Sequence, residues 1–151
     1  MRAFIKGEAV RVRNPGAVRP WQFVLEPLHG YLVLAEHLLL RGFEFAESWN
    51  FGPVDEDALQ VSSIVRQLSA LWGSGAGWTD DGGIHPHEAQ FLKLDISKAR
   101  SRLGWGPKMR LSQAAEWVVE WYKAYQAGED VREIIKAQIL RYESLPAGIY
   151  G

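Results

Sequence analysis

Val24-Leu-Glu-Pro-Leu-His-Gly-Tyr-Leu-Val-Leu-Ala-Glu-His-Leu-Leu-Leu-Arg-Gly42 is the stretch that decides the architecture. Its apolar residues at 24, 25, 28, 31, 32, 35, 38 and 39 recur with the 3.6-residue period of a helix. Pro27 falls in the first turn, where a missing N–H costs nothing, and Gly42 stands at the end as a terminator. The spacing predicts one long helix, buried along a broad stripe. The run from Leu28 to Leu40 is too short and too polar to span a membrane, since it carries His29, Glu36 and His37 and a span needs roughly 20 predominantly apolar residues.

Upstream, residues 9–13 alternate apolar and basic before Asn14-Pro15-Gly16 supplies turn chemistry, so a short strand leads into a loop, with its basic side chains on one face. Downstream, aromatic-rich Glu47 to Phe51 reads as a strand stopped by Gly52-Pro53. Asp55 or Asp57 is positioned to cap a second helix whose stripe is Val61, Ile64, Val65, Leu68, Leu71 and Trp72, with Gly73 just beyond. Residues 73–90 read as loop around a short strand at Trp78, and Phe91 to Leu94 as strand. Ser97 and Gly104 bracket a short helix, and Trp105-Gly-Pro107 forces a turn. Ser112 caps the next helix, whose apolar face includes Val118, Trp121, Tyr122 and Tyr125. Gly128 ends it, and Asp130 with Glu133 forms a capping box for a last helix to about Glu143. These elements predict an α/β fold, helix-rich with a few short strands, in a single unit over residues 1–151 whose tail, 144–151, frays.

At 151 residues and 47% hydrophobic, the chain can build a core without a disulfide or metal. It has no cysteine, which excludes thiolate catalysis and thiolate zinc sites and fits a reducing compartment. The opening Met1-Arg-Ala-Phe-Ile-Lys6 does not read as a signal peptide, so the expected location is cytoplasmic. A net charge of −1 offers nucleic acid no general attraction. The charge is uneven, however. Residues 1–20 hold five basic side chains against Glu8, residues 93–110 hold six against Asp95, and residues 21–60 hold seven acids against Arg41. Two basic patches are thereby available to converge on an anion, or simply to stay solvated on helix faces.

Strong catalytic signatures are missing. Gly73, Gly75 and Gly77 do not give G-x-G-x-x-G, because position 78 is Trp, and no tyrosine has a lysine four residues later. His85-Pro-His87-Glu88, with Asp80 and Asp81 nearby, has the ligand types for zinc or non-haem iron, but also those for sugar or anion contact or plain packing. A Ser62, His85, Asp81 triad can be drawn without any spacing to support it. Trp72, Trp117 and Trp121 fall on helical stripes and read as core, whereas Trp21, Trp78 and Trp105 lie beside loops. In Arg19-Pro20-Trp21-Gln22 a planar cation adjoins a flat ring and an amide, a combination suited to phosphate and equally to a salt bridge or helix cap.

Read together, Val12-Arg-Asn-Pro-Gly-Ala-Val-Arg-Pro-Trp-Gln-Phe-Val-Leu-Glu-Pro-Leu28, Trp49-Asn-Phe-Gly-Pro53, His87-Glu-Ala89, Leu92-Lys-Leu-Asp-Ile-Ser-Lys-Ala-Arg100 and Leu103-Gly-Trp105 resemble the CDP-glucose 4,6-dehydratase family. That family belongs to the extended short-chain dehydrogenase/reductases. The similarity runs from residue 1 to about 143 and corresponds to the C-terminal substrate domain, without the Rossmann half. In the family that other half holds NAD and supplies the Ser/Thr, Tyr and Lys of the chemistry, so the resemblance implies a chain with no cofactor of its own and no catalytic competence alone. It implies a nucleotide-sugar grip in which Arg19 contacts the diphosphate and Arg13 and Asn14 border the nucleotide. Trp21 and Gln22 complete that element. His87 and Glu88 join the set, with His87 or Lys93 standing where relatives carry a second phosphate-binding arginine.

The expected ligand is CDP or a CDP-hexose, bound weakly because half of an enclosing cleft is missing. The expected partners are further copies of the chain or a Rossmann-type subunit, since the resemblance implies that the strand near Trp49-Asn50 joins a large sheet and would leave an open edge. The alternative reading is a self-associating or partner-binding module that has lost its ligand.

Overall fold

The computed structural model describes residues 1–83 and 89–148. In chain order the elements are α1 (Arg2–Ile5), β1 (Val10–Val12), β2 (Val18–Pro20), α2 (Leu25–Arg41), β3 (Ala58–Gln60), α3 (Val61–Trp72), β4 (Trp78–Asp80), α4 (Ser97–Leu103), α5 (Leu111–Gln126) and α6 (Val131–Glu143), with 3₁₀ turns at Gly42–Phe45 and Asp55–Asp57. The fold is α/β and dominated by helix, as expected. β1 pairs parallel with β4, Arg11 opposite Thr79, and β2 pairs antiparallel with β3, Arg19 opposite Leu59. Among the described residues no helix is long and apolar enough to cross a membrane.

The core is three clusters of side chains, and the stretch from Trp105 to Leu111, which joins α4 to the start of α5, supplies one member to each. Trp105 sits with Phe45, Phe51, Ile96, Ala99 and Leu103. Met109 sits with Phe23, Ala114, Trp117 and Tyr142, and Leu111 with Ile64 and Ala115. Two buried carboxylates pin this connection. Glu26, only 1% exposed, accepts from the backbone amides of Lys108 (3.0 Å) and Met109 (2.8 Å) and from the Tyr142 hydroxyl (2.8 Å). Asp57 accepts from the Arg110 guanidinium through both oxygens (2.9 and 3.1 Å) and from the Leu111 amide (3.0 Å). Each acid satisfies donors that burial would otherwise orphan, which is the condition for keeping a charge inside.

That use of Asp57 corrects two expectations. It does not cap α3, which begins only at Val61, and Ser112 does not cap α5, because Asp57 reaches the first helical amide from another element. The first amides of α3 are met instead by backbone: Val61 N–H donates to the Ala17 carbonyl (2.9 Å) and Ser62 N–H to that of Pro15 (3.0 Å). Ser97 is the first residue of α4 rather than its cap, and its amide donates to the Asp95 carboxylate (2.8 Å). Gly104, with φ of +63°, ends α4 where a side chain would strain the backbone. Asp130 caps α6, accepting from the Arg132 amide (2.9 Å), but Glu133 does not complete the expected box, its carboxylate pairing instead with Lys136 (2.6 Å).

Two predicted strands are not strands. Residues 91–94 give only a bridge, Phe91 beside Val18. Residues 47–51 have no neighbouring strand among the described residues and are held by side chains: Trp49 Nε1 donates to the Phe45 carbonyl (3.0 Å), Asn50 to that of Asp95 (3.3 Å), and Glu47 pairs with Lys98 (2.5 Å) and Arg102 of α4.

The long helix α2 matches its expected bounds but not its expected burial. Glu26 and Gly30 are its buried residues, and Val33 and Leu34 pack on the Trp105 cluster. Gly30 is required there, since a Cβ would stand 2.4 Å from the Phe51 ring. Leu25 apart, the apolar stripe faces out: Val24, Leu28, Tyr31, Leu32, Ala35, Leu38 and Leu39 are all exposed. The expected burial of that stripe is therefore corrected: the helix buries the opposite face, on which the Glu26 carboxylate meets the Lys108 and Met109 amides.

Removing that carboxylate by Glu26→Ala leaves two amides and a hydroxyl buried without an acceptor and should cost about 3 kcal/mol or more in urea denaturation. Burial pushes the Glu26 pKa above its ordinary value, against the pull of the Lys108 amide, the Tyr142 hydroxyl and the Met109 amide. A carboxyl whose folded pKa is raised contributes stability in full below the ordinary value of 4.5 and loses it as pH rises through the folded value. The unfolding free energy of the parent chain should therefore fall relative to Glu26→Gln as pH rises from about 4, and a constant difference would refute this.

Candidate functional site

The residues singled out in the sequence lie along β1, the turn after it, and β2. Arg11, exposed on β1, pairs with Asp81 next to β4. Arg13 follows β1 and is exposed, and Asn14 opens a turn closed by the Ala17 amide on its carbonyl (3.2 Å). The same turn covers the start of α3 through Pro15 and Ala17, so its conformation is fixed by the helix beneath it.

Arg19 is half-buried in the middle of β2. Its Nη1 donates to the carbonyls of Val18 and Ala89, each at 2.9 Å. The Val18 amide donates to the Gln90 carbonyl (2.7 Å) and the Leu92 amide to the Val18 carbonyl (3.2 Å). Residues 89–92 are thus laid along β2, and Arg19 fastens the point at which they arrive. His85, His87 and Glu88, the candidates for ligand or metal contact, lie outside the described residues.

The next residues turn inward. Trp21 packs beside Ile64, Leu111 and Ala115, and its Nε1 donates to the Leu59 carbonyl (2.9 Å). Gln22 Nε2 donates to the Phe51 carbonyl (2.8 Å), while its Oε1 is buried with no partner among the described residues. Phe23 meets Trp117 edge to face at 5.6 Å. The structure therefore brings Arg19 to the 89–92 segment and leaves Arg13 exposed beyond β1, but commits Trp21 and one side of Gln22 to holding the β2–α2 corner.

Lys93 forms an exposed ion pair with Asp55 (3.6 Å) and shares a polar cleft of about 440 Å³ with Asp95, Ser97 and Arg100. A second cleft, of about 700 Å³, opens between α2 and α4 beside His29, Arg100 and Lys108. Burial holds the His29 pKa below its usual value, assisted by the charge of Lys108. Neither cleft was foreseen, because residues 29, 93, 100 and 108 share no sequence spacing.

A dinucleotide cofactor does not fit the glycine-rich stretch. Gly73 ends α3, and Gly75 and Gly77 lead on to β4; a pyrophosphate requires the reverse order, strand then glycines then helix. Among the described residues no three metal-ligating side chains converge. Asp80 accepts from the Gly82 amide within its own turn (3.0 Å), and Asp81 is engaged by Arg11.

No protein-family model matches the chain. Over 144 residues, 95% of its length, it is similar to a dehydratase, at 49% identity. That relative is the CDP-glucose 4,6-dehydratase of Salmonella typhimurium strain LT2, and the match occupies 40% of it. The chain thus spans about two fifths of the relative's length, which fits a correspondence with its C-terminal part.

Arg19→Ala should release the 89–92 segment from β2 and lower the melting temperature by roughly 2–4 °C, as expected for about 1 kcal/mol from half-exposed charge-assisted bonds in a chain of this size. Arg19→Lys should not restore it, because an ammonium lacks the planar fork. Melts indistinguishable from the parent would show that Arg19 does not hold this segment.

Proposed function

We propose that the chain is the nucleotide-sugar-gripping part of a CDP-hexose dehydratase-type protein, with Arg19 directed to the diphosphate and Arg13 and Asn14 bordering the nucleotide. The single observation that carries this reading is the 49% identity along 95% of the chain. The placement of Arg19 supports it, since a guanidinium fixed at the junction of β2 and the 89–92 segment is suited to recognising phosphate oxygens. On this reading the chain does not dehydrate a sugar alone, because its glycine-rich stretch does not suit NAD and no Tyr-x-x-x-Lys pair is present.

Isothermal titration of CDP at low salt should give a dissociation constant on the order of 0.1–1 mM, weakened at least tenfold in Arg13→Ala, which removes an exposed charge. Absence of heat at millimolar CDP would overturn the reading. Incubation of the chain with CDP-glucose and NAD should yield no dehydrated product.

A further inference from the structure

The cleft between α2 and α4 gathers cations and gives them no acid. His29 lines it from α2, Arg100 and Ser101 from α4, and Trp105 and Lys108 from the stretch that follows α4. None of the described residues around it is an aspartate or glutamate. Its volume of about 700 Å³ is that of a small-molecule site, which usually spans ~300–1,000 Å³.

Lys108 brings an unmet charge. Its ammonium lies 5.1 Å from the centre of the Tyr142 ring and forms no ion pair among the described residues. Glu26 attracts it, but the oxygens of that buried carboxylate already accept from the Lys108 and Met109 amides and from the Tyr142 hydroxyl. His29 meets the same ring edge to face at 6.0 Å, and burial together with the Lys108 charge holds its pKa below the usual value. A histidine and a lysine that disfavour each other's charge are stabilised together by an anion beside them.

Two hydrogen-bonding atoms on the same lining are also unmet. His29 Nδ1 and Trp105 Nε1 are buried with no partner among the described residues, and Trp105 is only 2% exposed. An indole N–H can only donate, and a buried donor without an acceptor is destabilising. The indole therefore calls for an acceptor, and Lys108 for negative charge. Val33 and Leu103 add apolar lining to that of Trp105, which suits an apolar body on the anion.

We propose that this cleft binds a small organic phosphate monoester, with its phosphate at Lys108, Arg100 and His29 and its apolar body against Val33, Leu103 and Trp105. A dianion with three acceptor oxygens matches an ammonium, a guanidinium and an indole N–H better than the single charge of a carboxylate does. The site uses none of Arg13, Asn14 and Arg19, and it does not rest on the nucleotide reading.

The probe is phenyl phosphate, titrated into the whole chain while the backbone and indole N–H resonances are followed. It should shift the Trp105 indole and the Gly104 and Gly106 amides, with a dissociation constant on the order of 1 mM. Benzyl alcohol, which lacks the charge, and inorganic phosphate, which lacks the body, should each bind at least about tenfold more weakly. Lys108→Met keeps an apolar stem for the Tyr142 ring and should weaken phenyl phosphate at least about fivefold. Ser101→Glu sets a carboxylate on an exposed rim position whose hydroxyl bonds only the Lys98 carbonyl; it should weaken the probe at least as much and tests the site even where Lys108→Met fails to fold. Arg13→Ala should change the affinity by less than about twofold. Absence of these shifts at about 10 mM probe, or an affinity untouched by Ser101→Glu, would overturn the site. So would equal binding of benzyl alcohol, which leaves an apolar crevice only, or of inorganic phosphate, which leaves an adventitious ion only. Loss of the shifts in Arg13→Ala would overturn it too, by moving the probe to the nucleotide-facing residues. Heat from CDP that depends on Arg13 supports the nucleotide reading whichever way phenyl phosphate behaves, so the two can fail separately.

Discussion

Two carboxylates hold the connection between α4 and α5, and the rest of the structure depends on that hold. Between Trp105 and Leu111 the chain gives one side chain to each of the three apolar clusters, so displacing it would loosen all of them together. Glu26 reaches it from α2 and Asp57 from the turn before β3. A buried carboxylate is costly unless its oxygens are filled; here backbone amides, a hydroxyl and a guanidinium fill them. The result is geometric as well as energetic, because Glu26 also engages Tyr142 and thereby sets α6 against α2.

This arrangement explains the orientation of α2. The helix buries Glu26, Gly30, Val33 and Leu34 and points its more apolar side away. The anchoring acid and the glycine that admits Phe51 belong to a face that the spacing of leucines would have assigned to water. One helix therefore serves two surfaces: an inward one specified by a carboxylate and a close approach, and an outward one whose composition calls for cover.

Local patterns made much of the fold legible. The helical periods around Leu28, Ile64 and Val118 depend only on neighbours in the chain, as do the stop at Gly104 and the cap at Asp130. What local pattern cannot carry is direction and partnership. Glu26 acts 82 and 83 residues away on Lys108 and Met109, and Asp57 acts 54 residues away on Leu111; in the sequence each is only an acid near a helix start. Glu47 to Phe51 has strand composition and, among the described residues, no strand to join. At the candidate site, Arg19 was legible because a planar cation adjoins a flat ring and an amide in Arg19-Pro20-Trp21-Gln22, whereas the inward turn of Trp21 and Gln22 follows from tertiary packing on Leu59 and Phe51 that no motif encodes.

Amide hydrogen exchange of the isolated chain, resolved by residue, tests most directly whether the two acids organise the molecule. The amides of Lys108, Met109 and Leu111 should exchange as slowly as those in the middle of α5, opening only with global unfolding. Exchange at these three positions as fast as in an ordinary surface loop, while α5 stays protected, would contradict it.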